Sequence, residues 1–366
     1  MPIDSTTSSR IEILRFPLMI GVVLVHNYDT AIPLAQGSLG VTHTSDWVDF
    51  IMLFVSEGVA RVAVPLFFAV SGYLFFQGGW SWEKHAGKLK RRIYTLLIPF
   101  VFWNLLTLAI FAVVQSIPQT KVFFAGTVWP PVRSFSFMDY LNALSGLTVT
   151  FPIAFQFWFL RDLMALILLA PVIYFLLARK SALPFICALF CLWFFQLWPF
   201  LWPGVDATFF FCLGACLARP GMSLDYLDRF GPWITAVFLG LVILHSAFPN
   251  SPSYLFKTMI VFGTVSLWWL TALVIKMPAL NDSLRRLSGA SFFVFAAHEP
   301  LLIILRKLSY MLLRPSSGAA ILSLYFLNPV CLIAFLVLTH RCLVRIAPSF
   351  AGLVSGDPGR SRRQTA

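Results

Sequence analysis

The stretch "RFPLMIGVVLVH", Arg15 to His26, opens an apolar run with an arginine and carries a histidine eleven residues further on. In an α-helix eleven residues rise about 16.5 Å and turn through about 1100°, which leaves the two side chains about 20° apart. They share a face, with Arg15 near a membrane surface and His26 near mid-bilayer. The run follows the polar "SSRIEILR" and lacks a small-residue cleavage site before the next polar segment. It is therefore expected to be a permanent span and not a cleaved signal.

Composition extends this reading to the whole chain. Of 366 residues, 59% are hydrophobic and 11% charged, whereas a soluble domain carries roughly a quarter charged residues. Thirty-eight Phe and twelve Trp suit lipid-facing and interfacial positions. The fold class is thus all-α, a polytopic integral membrane protein. Apolar runs of about 17–25 residues place ten spans near 16–34, 48–77, 93–114, 157–177, 183–199, 203–218, 232–248, 254–275, 291–311 and 318–340. The second is long and is expected to include an amphipathic lead-in or a kink at Pro65.

The formal charge of +12 could point to nucleic acid, so its distribution matters. With the N-terminus in the cytoplasm, 19 basic residues fall inside and 5 outside, and Arg61, Arg161 and Lys257 lie within or at the edges of spans. That split follows the positive-inside rule with both termini cytoplasmic. Topology accounts for the charge, and no nucleic-acid partner is needed. The six cysteines form no Cys-x-x-Cys and have no nearby His that would complete a zinc set, so they read as small packing residues and no metal is expected.

Residues 1–345 read as one membrane domain and 346–366 as a disordered cytoplasmic tail, from the polar "SGDPGRSRRQTA". The longest break between spans, 115–156, falls outside; a loop of that length is uncommon unless it forms a lid or binding element. No internal repeat is visible.

Ionisable groups in hydrocarbon are expensive and are functional candidates by default. Glu57 and Arg61 have the i,i+4 spacing of an ion pair, structural or functional. Arg161 and Asp162 are adjacent and point apart, so they do not satisfy each other, and snorkelling near the outer interface stands as the plainer reading beside a functional one. His26 and His298 lie partway into two spans that both start from the cytoplasmic side. Each reads either as a hydrogen-bonded packing residue or as a general base, a role imidazole can fill near pH 7.

Five elements together resemble the bacterial membrane acyltransferase family 3. They are the Arg15…His26 pair, "RVAVPLFFAVSGYLFF" with Ser71-Gly72-Tyr73, "KLKRRIYTLLIPFVFW", "FWFLRDLMALILLAP" with Trp158, and "LSGASFFVFAAHEPLL" with His298 and Glu299. They occur in family order from residue 15 to about 302. One departure is that the family's cytoplasmic Arg-x-x-Arg is represented by Lys88-x-x-Arg91 and Arg92-x-x-Thr95. Charge is kept while bidentate geometry is partly lost. The extra periplasmic hydrolase-like domain of some members is not expected after Arg345.

The resemblance implies a bacterial inner-membrane O-acetyltransferase with no bound cofactor. Its donor would be cytoplasmic acetyl-CoA and its acceptor a sugar hydroxyl of a lipid-linked exopolysaccharide or other envelope glycan. It makes His26 the catalytic base or the site of an acetyl-histidine, and gives Arg15, Lys90, Arg91 and Arg92 the acyl-CoA. Glu57, Arg61, Ser71, Trp158, His298 and Glu299 become candidate supporting residues. Partners would be membrane lipids and other polysaccharide-assembly proteins. Two readings from other classes stand beside it. One is a transporter or flippase of lipid-linked glycan, with the intramembrane histidines as proton relays; the other is a non-catalytic scaffold. The lack of repeats counts against transport.

Overall fold

The computed structural model describes residues 4–28, 31–33, 38–40, 44–117, 129–177, 182–222 and 224–357. Along the chain come α1 (Ser5–Val25), α2 (Asp46–Met52), α3 (Ala63–Phe76), α4 (Trp82–Arg92), α5 (Ile98–Ser116) and α6 (Phe137–Ser145). They are followed by α7 (Trp158–Leu168), α8 (Ala170–Leu177), α9 (Ala182–Phe194), α10 (Val205–Leu217) and α11 (Gly231–Ala247). The last are α12 (Ser253–Val274), α13 (Pro278–Ser288), α14 (Ser291–Leu313), α15 (Gly318–Ile346) and α16 (Pro348–Val354). Two three-residue strands, β1 (Ala31–Pro33) and β2 (Ser38–Gly40), pair antiparallel. So small a ribbon leaves the all-α membrane class unchanged.

Among the described residues, five helical segments are long and apolar enough to cross a membrane: Asp46–Phe76, Trp82–Ser116, Leu224–Ala247, Ser253–Val274 and Gly318–Ile346. The number is seven when α7 with α8, and α13 with α14, each count as one span. Ten were expected. The three not reached are α1, which at 21 residues is long enough but carries Arg10, Glu12 and Arg15, and the 13-residue α9 and α10. At 1.5 Å per residue those two helices are about 20 Å long, short of a ~30 Å hydrocarbon core.

The chain divides into two compact units. The first comprises Met1–Val22, Leu53–Ile93 and Asp162–Ser291. Here α1 starts on the Asp4 side chain, which accepts from the backbone N–H of Thr6 (2.8 Å) and Thr7 (3.1 Å) and so satisfies two orphan donors of the first turn. One and a half turns on, Arg10 is 1% exposed. Its guanidinium donates to Asp225 and Asp228, to Thr271 Oγ1 and to the Trp268 carbonyl, and lies over the Trp268 ring. A buried charge is tolerable only when hydrogen-bonded this fully.

In the same unit α3 and α10 meet backbone to backbone. A Cβ on Gly72 would come 2.0 Å from the Phe211 carbonyl oxygen, and one on Gly214 would come 1.8 Å from that of Ala69. Glycine at both positions permits the contact. The long second span is irregular, but not where Pro65 led us to expect. Leu53–Val59 is π-helical and Ala60–Val62 is a 3₁₀ turn, and Pro65 falls in the first turn of α3. A missing N–H is tolerated there because first-turn donors lack regular helical partners. Lys257, buried at the start of α12, donates to the Trp193 carbonyl and lies over the Trp193 ring, whose Nε1 donates to Asp206 (2.6 Å).

The second unit comprises Val23–Met52, Tyr94–Arg161 and Phe292–Ala366. The described part of the long 115–156 connection contains α6, which starts on a Ser136–Asp139 capping box and ends at Gly146 in the left-handed conformation (φ 66°). The tail was expected to be disordered from residue 346, and this needs correction. Pro348–Val354 is helical with Ala351, Gly352 and Val354 buried, and Trp103 Nε1 donates to the Val354 carbonyl (3.0 Å). The apolar "SFAGLV" buries against α5, which the polar residues after it would not do. Residues 358–366 lie outside the described part.

Candidate active site

The site forms in the second unit, where a loop and a broken helix are each held by buried polar side chains. Asn104 of α5 is fully buried, and its Oδ1 accepts from the Ala154 N–H (3.2 Å). Arg161 was read as an interfacial snorkeller. It is instead buried, and its Nη1 donates to the carbonyls of Gly146 (3.0 Å), Val149 (3.3 Å) and Thr150 (3.0 Å). Loop carbonyls without helical partners take up its donors. Asp162 points elsewhere, as expected, and accepts from the Gly204 N–H (2.7 Å) in the first unit.

These bonds fix the turn that presents Phe155 and Gln156. Gln156 is 2% exposed, and its Nε2 donates to the carbonyls of Ala296 (3.2 Å) and Glu299 (3.3 Å). The reason is local. Glu299 has non-helical backbone angles (φ −106°, ψ 136°) and Pro300 follows it. Pro300 has no N–H, so the Ala296 carbonyl has no i+4 donor. The Gln156 amide supplies one.

Inside this break lies His298, fully buried. Its Nδ1 is 2.7 Å from the Phe295 carbonyl oxygen. A carbonyl only accepts, so Nδ1 carries the proton and the neutral ring keeps Nε2 as an acceptor. That Nε2 is buried and makes no hydrogen bond among the described residues. The His26 ring stacks on it with centroids 5.5 Å apart, and meets Phe155 edge-on at 5.0 Å. His26 lies just beyond the end of α1, so the continuous helix assumed from Arg15 stops one residue short. Arg306 donates to the His26 carbonyl (3.1 Å), and Asn27 Nδ2 donates to that of Tyr325 (2.7 Å). Both bonds hold the turn. Glu299, 4% exposed, adjoins the pair in sequence.

The expected CoA-binding residues lie in the first unit. Ser81 caps α4 by accepting from the Lys84 N–H (3.2 Å). Lys84 Nζ donates to the Gly78 carbonyl (2.8 Å), and Lys88 Nζ to those of Phe75 and Gln77. Two of the five basic residues of α4 are thus spent on the C-terminal end of α3, where carbonyls lack partners. Lys90 and Arg91 are exposed and Arg92 half-buried. Arg15 is exposed, and its charge is felt at Arg92 together with that of Arg91.

The remaining candidates fall into place more simply. Glu57 and Arg61 form the expected pair, two-pronged at 2.6 and 2.8 Å. Ser71 is half-buried on α3 beside Gly72, and Trp158 is half-buried at the start of α7, two residues after Gln156. Sequence reasoning missed Gln156, Asn104 and Arg306. Gln156 stood one residue before the assigned span, and its only signal was an amide inside the apolar "PIAFQFWFL". Arg306, counted among outer basic residues, is buried within α14.

The acyltransferase domain model of family 3 matches residues 8–340. The succinoglycan biosynthesis protein ExoH of Rhizobium meliloti (strain 1021) is 28% identical over 370 residues, which cover 98% of this chain and 95% of that protein. No solved structure matches the chain at a significant level.

Proposed function

The chain belongs to acyltransferase family 3 and is a multi-pass membrane acyltransferase, and from that premise we propose that it is an inner-membrane O-acetyltransferase of an envelope glycan. Its donor is cytoplasmic acetyl-CoA, and its acceptor is a sugar hydroxyl of a lipid-linked exopolysaccharide. The likeness to a succinoglycan biosynthesis protein supports the acceptor class. The ten spans are those of the apolar runs, and the excess of basic residues on the inner side of that arrangement supports cytoplasmic termini.

The observation that carries the reading is the stacked His26–His298 pair. In the proposed step His26 takes the proton from a sugar hydroxyl as its oxygen attacks the thioester carbonyl. The carbon–sulfur bond breaks, and the proton passes to the departing CoA thiolate. An acyl-imidazole on His26 would use the same ring nitrogen. His298 is held in one tautomer against it. Arg15, Lys90, Arg91 and Arg92 bind the phosphates of CoA through charge-assisted bonds. Like charges gathered near one another, as Arg15, Arg91 and Arg92 are, favour a polyanionic ligand.

Purified protein in nanodiscs, given acetyl-labelled acetyl-CoA and lipid-linked oligosaccharide from the host, tests this. His26→Ala should lower transfer by about 10²–10⁴-fold, the usual worth of a general base. Near-normal turnover by well-folded His26→Gln would refute the assignment of His26, while a wild type that transfers nothing would refute the function.

A further inference from the structure

Among the buried side-chain atoms of the candidate site that make no hydrogen bond within the described residues, two are acceptors on neutral side chains. His298 Nε2 is one, and Gln156 Oε1 is the other; neither makes a hydrogen bond among the described residues. The Gln156 assignment is not arbitrary. Its Nε2 faces two carbonyl oxygens, at 3.2 and 3.3 Å, which can only accept, so the amide cannot be turned the other way. Both orphan acceptors belong to groups fixed on the same short piece of chain, residues 296–299.

A buried acceptor without a donor carries an uncompensated desolvation cost, and neither residue can change its state to remove that cost. Gln156 is committed by its two carbonyl partners, and His298 by the Phe295 carbonyl on its other nitrogen. A ligand that completes this arrangement must therefore bring two donors. The acetyl thioester group itself carries none, and the nearest amide N–H of acetyl-CoA stands two carbons beyond the sulfur. A sugar carries several, as hydroxyls on neighbouring carbons.

We infer that Gln156 is a positioning residue for the acceptor. Its Nε2 holds the α14 break, and its Oε1 accepts a second hydroxyl of the glycan, next to the one that is acylated. This rests on the acetyltransferase reading above. The specificity it gives is for a polyol, because an alcohol whose single hydroxyl is the one held at His26 leaves the Gln156 acceptor bare.

The test uses the full chain in nanodiscs with acetyl-CoA and host lipid-linked oligosaccharide. Gln156→Met keeps length and removes both polar atoms. It should lower kcat/KM for the glycan about tenfold, the worth of roughly one hydrogen bond. KM for acetyl-CoA should stay within about twofold, a split that general loosening of the fold would not produce. Gln156→Glu sets a carboxylate against two carbonyls at neutral pH and regains a donor when protonated. Its activity relative to wild type should therefore rise as pH falls, and this profile decides the matter should Gln156→Met not fold. The inference is overturned if folded Gln156→Met is within about twofold of an active wild type, if its loss appears equally in KM for acetyl-CoA, or if Gln156→Glu tracks wild type at every pH. A wild type inactive with both substrates overturns the functional reading, and this inference with it.

Discussion

Replacing Gly214 by Ala adds one methyl group where α10 touches α3. Its Cβ would stand 1.8 Å from the Ala69 carbonyl oxygen, 2.7 Å from the Ala69 carbonyl carbon and 2.9 Å from the Tyr73 nitrogen. A carbon packs against a carbonyl oxygen at about 3.3–3.6 Å, so the helices must separate by roughly 1.5 Å. All three obstructing atoms are backbone, and no side chain can swing aside. The cost should therefore reach the upper end of the ~1–3 kcal/mol typical of overpacking. Gly240 of α11 supplies the contrast, since a Cβ there meets nothing within 4 Å. Gly240→Ala should be neutral or gain up to about 1 kcal/mol of helix propensity. The assay is the fraction of monodisperse protein left after heating in detergent, read by size exclusion. Equal heat resistance of the two variants would refute the claim that glycine at 214 serves close approach.

The basic helix should separate into two halves. Neutralising Lys90, Arg91 and Arg92 together should raise KM for acetyl-CoA with little change in kcat, and Arg15→Lys should weaken donor binding although charge is kept, because a planar fork becomes a point charge. Lys84→Met with Lys88→Met should instead lower heat resistance and leave KM for acetyl-CoA unchanged; a raised KM there would put these lysines on the ligand. For topology, cysteines introduced near residue 357 should be labelled only from the cytoplasm and those near residue 137 only from the periplasm. The reverse pattern would place the basic helix on the wrong side for CoA.

What the sequence showed best was chemistry that periodicity and charge can carry. Apolar runs located a helix for each expected span, and the i,i+4 spacing of Glu57 and Arg61 gave their ion pair. His26 and His298 were singled out as rare polar groups in apolar helices, and they stack. The misses share a physical cause, which is that they depend on tertiary partners. Gln156 matters because a proline almost 150 residues later frees a carbonyl, and no local pattern reports that. Lys84 and Lys88 looked equivalent to their neighbours until the end of α3 consumed them. Pro65 looked like a kink because sequence does not show that the irregular helix precedes it. The 346–366 segment was read from its polar end, and the short apolar stretch at its start packs on α5.

The bond from Arg306 to the His26 carbonyl joins residues 280 apart in the chain. A ribosome adding about 5–20 residues per second needs roughly 14–56 s to make that length. During that interval the turn after α1 is already synthesised, yet its ring partner and its anchoring arginine do not exist. The first unit is complete in sequence at Ser291, whereas the second still awaits α14, α15 and α16. On the proposed assignment, activity therefore cannot arise before α14 is made. A nascent chain that stalls before residue 298 contains every basic residue assigned to the donor and no histidine pair.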